Sequence, residues 1–346
     1  MIRRLFVFVF LLVAPSGQAR VREYGPCFGR IAGERSRIVL RRASGEDGSI
    51  NYLTLNTETF ETSFEKGPLA IIPCRSLDEI EDDSPYFRLR RAISTDYEHY
   101  RGGVASCGGS GYMLTCDLCP SARGLDRDFV DYALSIDAQP IYICVSGRWI
   151  ERHGDDLAWL LDRANLRSNT CASACPSARS NCGIVWVNHS YSHYYNPRLP
   201  EAQNFLLRAG TDLRREALDN ERIMLEHGLV PSPFFRYPGL VSDRKLSQRL
   251  LDWGLIPLGS NAWLAKGERP APGSIVLVHI NGNEPSGLAI FRQWTGSPAN
   301  EKPASEKPAR EKGEPRERGE PSAQGKTCEP CWKGAATPVW QRFNYK

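Results

Sequence analysis

Residues 183–193 read Gly183-Ile184-Val185-Trp186-Val187-Asn188-His189-Ser190-Tyr191-Ser192-His193. Four consecutive β-branched or aromatic residues, opened by a glycine and closed by polar residues, have the length and composition of a strand buried on both faces. Two histidines follow at once. The pattern recurs on either side, in Tyr112-Met-Leu-Thr-Cys116, Pro140-Ile-Tyr-Ile-Cys-Val145 and Ser274-Ile-Val-Leu-Val278. Between these runs, Asp155 to Arg163 and Leu206 to His227 carry helical spacing, the second closing at Gly228 as a C′ glycine. Strands alternating with helices from Gly111 to Trp294 predict a parallel sheet of β/α units, open or closed into a barrel.

Polar clusters end these runs, where β/α folds place their sites. His189 and His193, four apart, can converge on one metal ion if the segment after the strand turns into a helix. A His-x-x-x-His pair alone is more often a pair of surface histidines. Its company changes the weighing. Leu114-Thr-Cys-Asp117-Leu118-Cys119-Pro120 puts a carboxylate at a strand end, Phe234-Phe-Arg236-Tyr237-Pro238-Gly239 sets an arginine in an aromatic and proline-rich loop, and Leu277-Val-His279 ends a further strand in a histidine. An ion to polarise a carbonyl and its water, a carboxylate as base and a histidine as acid make up a centre for metal-assisted hydrolysis. The bland alternatives are a structural ion pair for Arg236 and a core histidine for His279.

In their order, Thr115-Cys-Asp117, His189-Ser-x-x-His193, Arg236-Tyr-Pro-Gly239 and Leu277-Val-His279, with a weaker echo at Cys144-Val-Ser-Gly147, the motifs resemble those of the polysaccharide deacetylases, the NodB-homology type of carbohydrate esterase. That resemblance implies a distorted (β/α) barrel with fewer than eight repeats and hydrolytic removal of acetyl groups from an N-acetylated polysaccharide. It makes His189 and His193 ligands of a divalent metal, usually zinc, and Asp117 the base. Arg236 would hold Asp117, His279 would protonate the leaving amine, and the Gly239 N–H would serve the oxyanion. Tyr237 and Trp263 are candidate substrate contacts, Trp263 reading equally as barrel core. Two departures stand out. Leu118 occupies the place of a second, metal-binding aspartate, which leaves the third ligand to water, Asp117 or Cys119. The acid that would tune His279 is replaced, at the nearest candidate, by the amide Asn261. A non-catalytic glycan-binding homologue is therefore the rival expectation.

The rest of the chain sets the context. Met1-Ile-Arg3-Arg4 followed by the apolar run Leu5 to Ala14 and small residues to Ala19 has the form of a secretory leader, too short to cross a bilayer core of about 30 Å. No later segment has the length of a membrane span, so a mature chain without a transmembrane helix, secreted or periplasmic, is expected. Losing Arg3 and Arg4 lowers the formal charge from +4 to +2, too little to argue for nucleic acid. Four parts follow: residues 1–19 as leader, 20–105 as a mixed polar segment of unassigned role, 106–295 as the deacetylase-like domain, and 296–346 as a low-complexity charged tail. The 11 cysteines, in an oxidising compartment, favour disulfides: one at Cys116 or Cys119 in preference to a Cys119 thiolate ligand, a loop stapled by Cys171, Cys175 and Cys182, and a local or domain-directed bond for Cys328 and Cys331 rather than a thiol oxidoreductase. Asn188-His-Ser matches a glycosylation sequon within the site and is set aside as coincidence.

Overall fold

The computed structural model describes residues 21–108, 111–136, 140–174 and 183–296. The leader, the charged tail with Cys328 and Cys331, and the thiols of Cys171, Cys175 and Cys182 lie outside the described residues.

The mixed polar segment folds as a sheet. Strands β1 (Val21–Ile31), β2 (Arg37–Gly45), β3 (Ile50–Asn56), β4 (Thr62–Lys66) and β5 (Ile71–Cys74) pair antiparallel in the order β4-β3-β2-β1-β5. Helix α1 (Pro85–Thr95) follows, with a proline in its first turn, where the missing N–H costs nothing.

Next come β6 (Met113–Leu118), α2 (Arg127–Ile136), β7 (Ile141–Val145), α3 (Gly147–Arg152), α4 (Gly154–Ala174), β8 (Ile184–Asn188), α5 (Asn220–Glu226), β9 (Pro231–Phe235), α6 (Arg244–Asp252), β10 (Ile256–Pro257), β11 (Ala262–Trp263), β12 (Ile275–His279) and α7 (Pro285–Thr295). Seven strands form one parallel sheet in the order β10-β9-β8-β7-β6-β12-β11. Its outermost strands, β10 and β11, are consecutive in the chain, and Val104 and Ser106 bridge to Leu258 and Ser274 there. The sheet thus curls into the expected distorted (β/α) barrel with fewer than eight repeats. Among the described residues no helix is long and apolar enough to cross a membrane.

Two local expectations differ. The strand β9, Pro231-Ser-Pro-Phe-Phe235, was legible only as a loop, because proline removes a ladder donor. It pairs in parallel with β8 through an irregular register, Pro231 opposite Trp186 and Phe235 opposite Asn188, so that Pro233 falls within the irregularity. The Leu206–His227 helix is interrupted: a 3₁₀ turn at Phe205–Leu207 ends before Gly210 (φ 78°), and Asp212 then caps a new start by accepting from the Arg215 N–H. That helix opens at Leu213, passes through a π turn over Arg215–Asp219 and runs into α5.

One apolar core lies between the sheet and the helices on its outer face, including Leu118, Phe129, Val130, Trp149 and Phe291. A second fills the barrel's interior and continues into the N-terminal sheet: Ile38, Leu40, Leu55, Tyr86 and Phe87 pack in one cluster with Met113, Tyr142, Val187 and Ile256. Arg41, fully buried, donates from Nε to Glu221 Oε2 on α5 at 2.9 Å, and the Tyr24 hydroxyl donates to the same oxygen at 3.0 Å. Residues 21–100 are therefore built into the barrel, and every site element rests on that shared core.

Candidate active site

The side-chain alternation of β6 sorts its residues into two sets. Leu114, Cys116 and Leu118 turn outward into the core beneath the helices. Thr115 and Asp117 turn inward, and Cys119, two residues further, continues that face. Asp117 sits between two register neighbours, Cys144 of β7 and His279 of β12. Its carboxylate is 3% exposed, and Oδ1 has no hydrogen-bond partner among the described residues.

Arg236, directly after β9, is fully buried. Its Nη2 donates to Thr115 Oγ1 at 2.7 Å, and Nε stands 4.0 Å from Asp117 Oδ1. Burial pushes the Asp117 carboxyl up, but the charges of Arg236, His189 and His279 outweigh it and hold the group below its ordinary range. Asp117 is thus an ionised carboxylate in a site almost closed to water.

His189 leaves the end of β8 fully buried. Its Nδ1 lies 3.0 Å from the Arg236 carbonyl, an acceptor only, so in the neutral ring Nδ1 carries the proton and the Nε2 lone pair is directed into the site. Nε2 is 3.6 Å from Asp117 Oδ2 and 3.5 Å from Cys119 Sγ. His193 reaches the same place without the expected helix. Residues 189–196 form a non-helical loop in which Ser190 (φ 63°) and His193 (φ 44°) both adopt left-handed backbone. That geometry brings the two imidazoles to a ring separation of 4.7 Å. The Ser190 hydroxyl receives the His193 N–H at 3.2 Å, and Asn188, fully buried, uses its amide on Ser190 N, Ala217 O and Asn220. An asparagine so engaged is no glycan acceptor.

The ligand atoms of Cys119, His189 and His193 lie within 4.8 Å of one another. Thiolate and two imidazoles are a donor set that fits a borderline-soft divalent ion. The disulfide expected at Cys116 or Cys119 is not formed: both thiols are free, and the strand's alternation sends them to opposite faces. Cys107 is the described cysteine that is disulfide-bonded. Burial raises the Cys119 thiol, yet His193 and His189 beside it hold it well below its ordinary value.

His279, 7% exposed at the end of β12, has its Nδ1 2.8 Å from Glu284 Oε2, an ion pair rather than an aligned hydrogen bond. The same carboxylate oxygen accepts from Trp263 Nε1 at 2.7 Å. Burial pulls the imidazole down, but Cys119 and Glu284 push it up to about 10. Glu284 is the functional residue that the motif reading missed. Asn261, considered for its role, is spent on the sheet edge, where its Oδ1 accepts from the Ile275 N–H at 3.0 Å.

Trp263 stands at the rim, its ring 5.6 Å from His279 and beneath the Lys266 ammonium at 3.6 Å. Tyr237, the other expected substrate contact, is fully buried against Phe235 and has no surface to offer a ligand. On the histidine side Tyr195, 59% exposed, stacks on Phe205 at 5.1 Å. Gly239 adopts φ 63°, and a Cβ there would meet the Phe205 ring at 2.6 Å. Only glycine fits that turn after Arg236-Tyr-Pro.

The cleft therefore gathers an ionised carboxylate, a three-donor cluster, a buried guanidinium and a carboxylate-paired imidazole at the C-terminal ends of adjoining strands. No family model matches the chain. Among solved structures it is similar to a family 4 carbohydrate esterase from Bacillus anthracis (20% identical, covering 59% of this chain and 84% of that one, TM-score 0.41). It is also similar to Bacillus subtilis PdaA, a family 4 carbohydrate esterase (15% identical, covering 60% and 83%, TM-score 0.38). A third is BA3943, a CE4 family pseudoenzyme from Bacillus anthracis (15% identical, covering 55% and 61%, TM-score 0.35). These likenesses are distant, and what the cleft can do follows from its own side chains.

Proposed function

We propose that the protein is an exported, metal-dependent hydrolase that removes N-acetyl, or O-acetyl, groups from a glycan, with zinc as the metal. The observation that carries this is the convergence of Asp117 with His189, Arg236 and His279 in one buried cleft. His189 and His193 would hold the ion. When bound, it supplies Lewis acidity towards the acetyl carbonyl and the attacking water.

The chain's own groups divide the proton work. Asp117, held ionised by Arg236, takes the proton from water as the oxygen adds to the acetyl carbon. The Gly239 N–H, on the turn that only glycine fits, would serve the developing oxyanion. As the carbon–nitrogen bond breaks, His279 gives its proton to the leaving amine, and acetate and the free amino sugar result. Glu284 favours the protonated imidazole that this step needs. The rival, a glycan-binding homologue with lost chemistry, rested on Leu118 and Asn261. Cys119 and Glu284, the one on the inward face of β6 and the other against His279, supply donors of the missing kinds, which supports the enzyme. Trp263, beside His279, and the exposed Tyr195 offer aromatic faces on which sugar rings can stack.

The test is acetate release from N-acetylated oligosaccharides by the purified full chain. Wild type should turn over and lose activity to a chelator. Asp117→Asn should cut turnover by about 10²–10⁴-fold while keeping its metal. A wild-type protein that holds no stoichiometric metal and frees no acetate from any such substrate would sink the proposal.

A further inference from the structure

We infer that the third protein ligand of this centre is the Cys119 thiolate, which makes it a Cys-His-His site; this rests on the metal-dependent reading above. Three alternatives compete for the position. Leu118, which holds the sequence place of a second carboxylate, is fully buried in the core between sheet and helices, on the opposite face of β6. Asp117 has its Oδ1 towards Arg236 and stands outside the mutual cluster of donors. Cys119 is inside that cluster, 6% exposed, with its backbone carbonyl pinned by the Asn281 amide at 2.8 Å.

Asp117 Oδ2 is as near to His189 Nε2, at 3.6 Å, but of the two only Cys119 lies within 4.8 Å of both imidazoles, and its spacing suits an ion. A tetrahedral ion with sulfur at about 2.3 Å and nitrogen at about 2.0–2.1 Å sets those two donors about 3.5–3.6 Å apart. Cys119 Sγ and His189 Nε2 are 3.5 Å apart. The Arg236 carbonyl holds the His189 tautomer that offers Nε2 to a metal. A thiolate with two imidazoles also selects among ions: it suits zinc and cobalt(II) and disfavours magnesium, calcium and manganese. Asp117 is then released from coordination and kept as a base.

The test uses the full chain, thiol-reduced, stripped with a chelator and titrated with cobalt(II). Wild type should take up one ion per chain and show a near-ultraviolet thiolate-to-cobalt charge-transfer band, and the zinc-loaded protein should show an X-ray absorption shell at about 2.3 Å assignable to sulfur. Cys119→Ser should lose the band. Cys119→Asp should bind the ion without it, so the conclusion stands even if the serine variant fails to fold. Cobalt bound to wild type with no such band, or a band that survives in Cys119→Asp, overturns Cys119 as ligand and leaves the metal-dependent reading intact. No uptake of either ion overturns both.

Discussion

Glu284→Gln isolates one electrostatic contact and keeps its shape. Glutamine occupies the same volume and can still accept from Trp263 Nε1, so the change removes a charge and little else. In the native site Glu284 Oε2 stands 2.8 Å from His279 Nδ1, with side-chain exposures of 29% and 9%. An opposite charge this near raises an imidazole by about 1–3 units. A carboxylate nearly a third open to water belongs at the lower end of that range, about 1–2 units. Cys119 and Asp117 also hold His279 up to about 10, and an ion neutralising the Cys119 thiolate would remove its share and leave that of Glu284. In the proposed mechanism His279 acts protonated, so activity should fall as pH rises through its pKa. The variant's basic limb should therefore move about 1–2 units towards lower pH, with a deficit of about 10–100-fold above both limbs. The assay is the pH profile of kcat on an N-acetylated oligosaccharide, beside an activated aryl acetate whose leaving group needs no proton. The aryl ester should be hydrolysed as by wild type. An unmoved basic limb, or equal losses on both substrates, would refute the acid role of the pair.

Three further outcomes follow from the packing. Leu118→Asp should not tighten metal binding, because the side chain points into the outer core; it should instead cost about 4 kcal/mol or more in urea denaturation through lost apolar burial and a desolvated carboxylate. A metal affinity above wild type would show that position 118 faces the ion. Glu221→Ala strands the fully buried Arg41 charge and should destabilise the fold by about 3–5 kcal/mol, so a loss under about 1 kcal/mol in the same measurement would contradict the pairing. Gly239→Ala, which meets both left-handed backbone and the Phe205 ring, should lower kcat by about 10²-fold with metal content unchanged; near-native kcat would show that the turn is not fixed by its glycine.

The barrel was legible because its strands are short, apolar on both faces and end in polar clusters, and Ile184–Asn188 shows all three traits. What failed to show were features that depend on neighbours. Pro231 and Pro233 argue against a strand until the irregular pairing with β8 is known. Position-by-position motif comparison set Leu118 against a metal-binding carboxylate and drew attention from Cys119. The signal was there, in the period of two that puts Thr115, Asp117 and Cys119 on one face. Glu284 had no comparable signal, since it meets His279 only because the loop after β12 turns at Gly282 (φ 72°). The convergence of His193 likewise depends on two left-handed residues that spacing alone does not announce, and Tyr237 looked available only because its burial could not be read from a loop motif.

The latch between the N-terminal sheet and α5 also orders events in time. Tyr24 and Arg41 find Glu221 across 197 and 180 residues of chain, and the Tyr86 hydroxyl meets the Gly254 carbonyl across 168. Contacts so distant form late, after the entropy of closing the intervening loop has been spent. The N-terminal sheet consequently completes its packing only when α5 and the turn at Gly254, both from the second half of the chain, are in place.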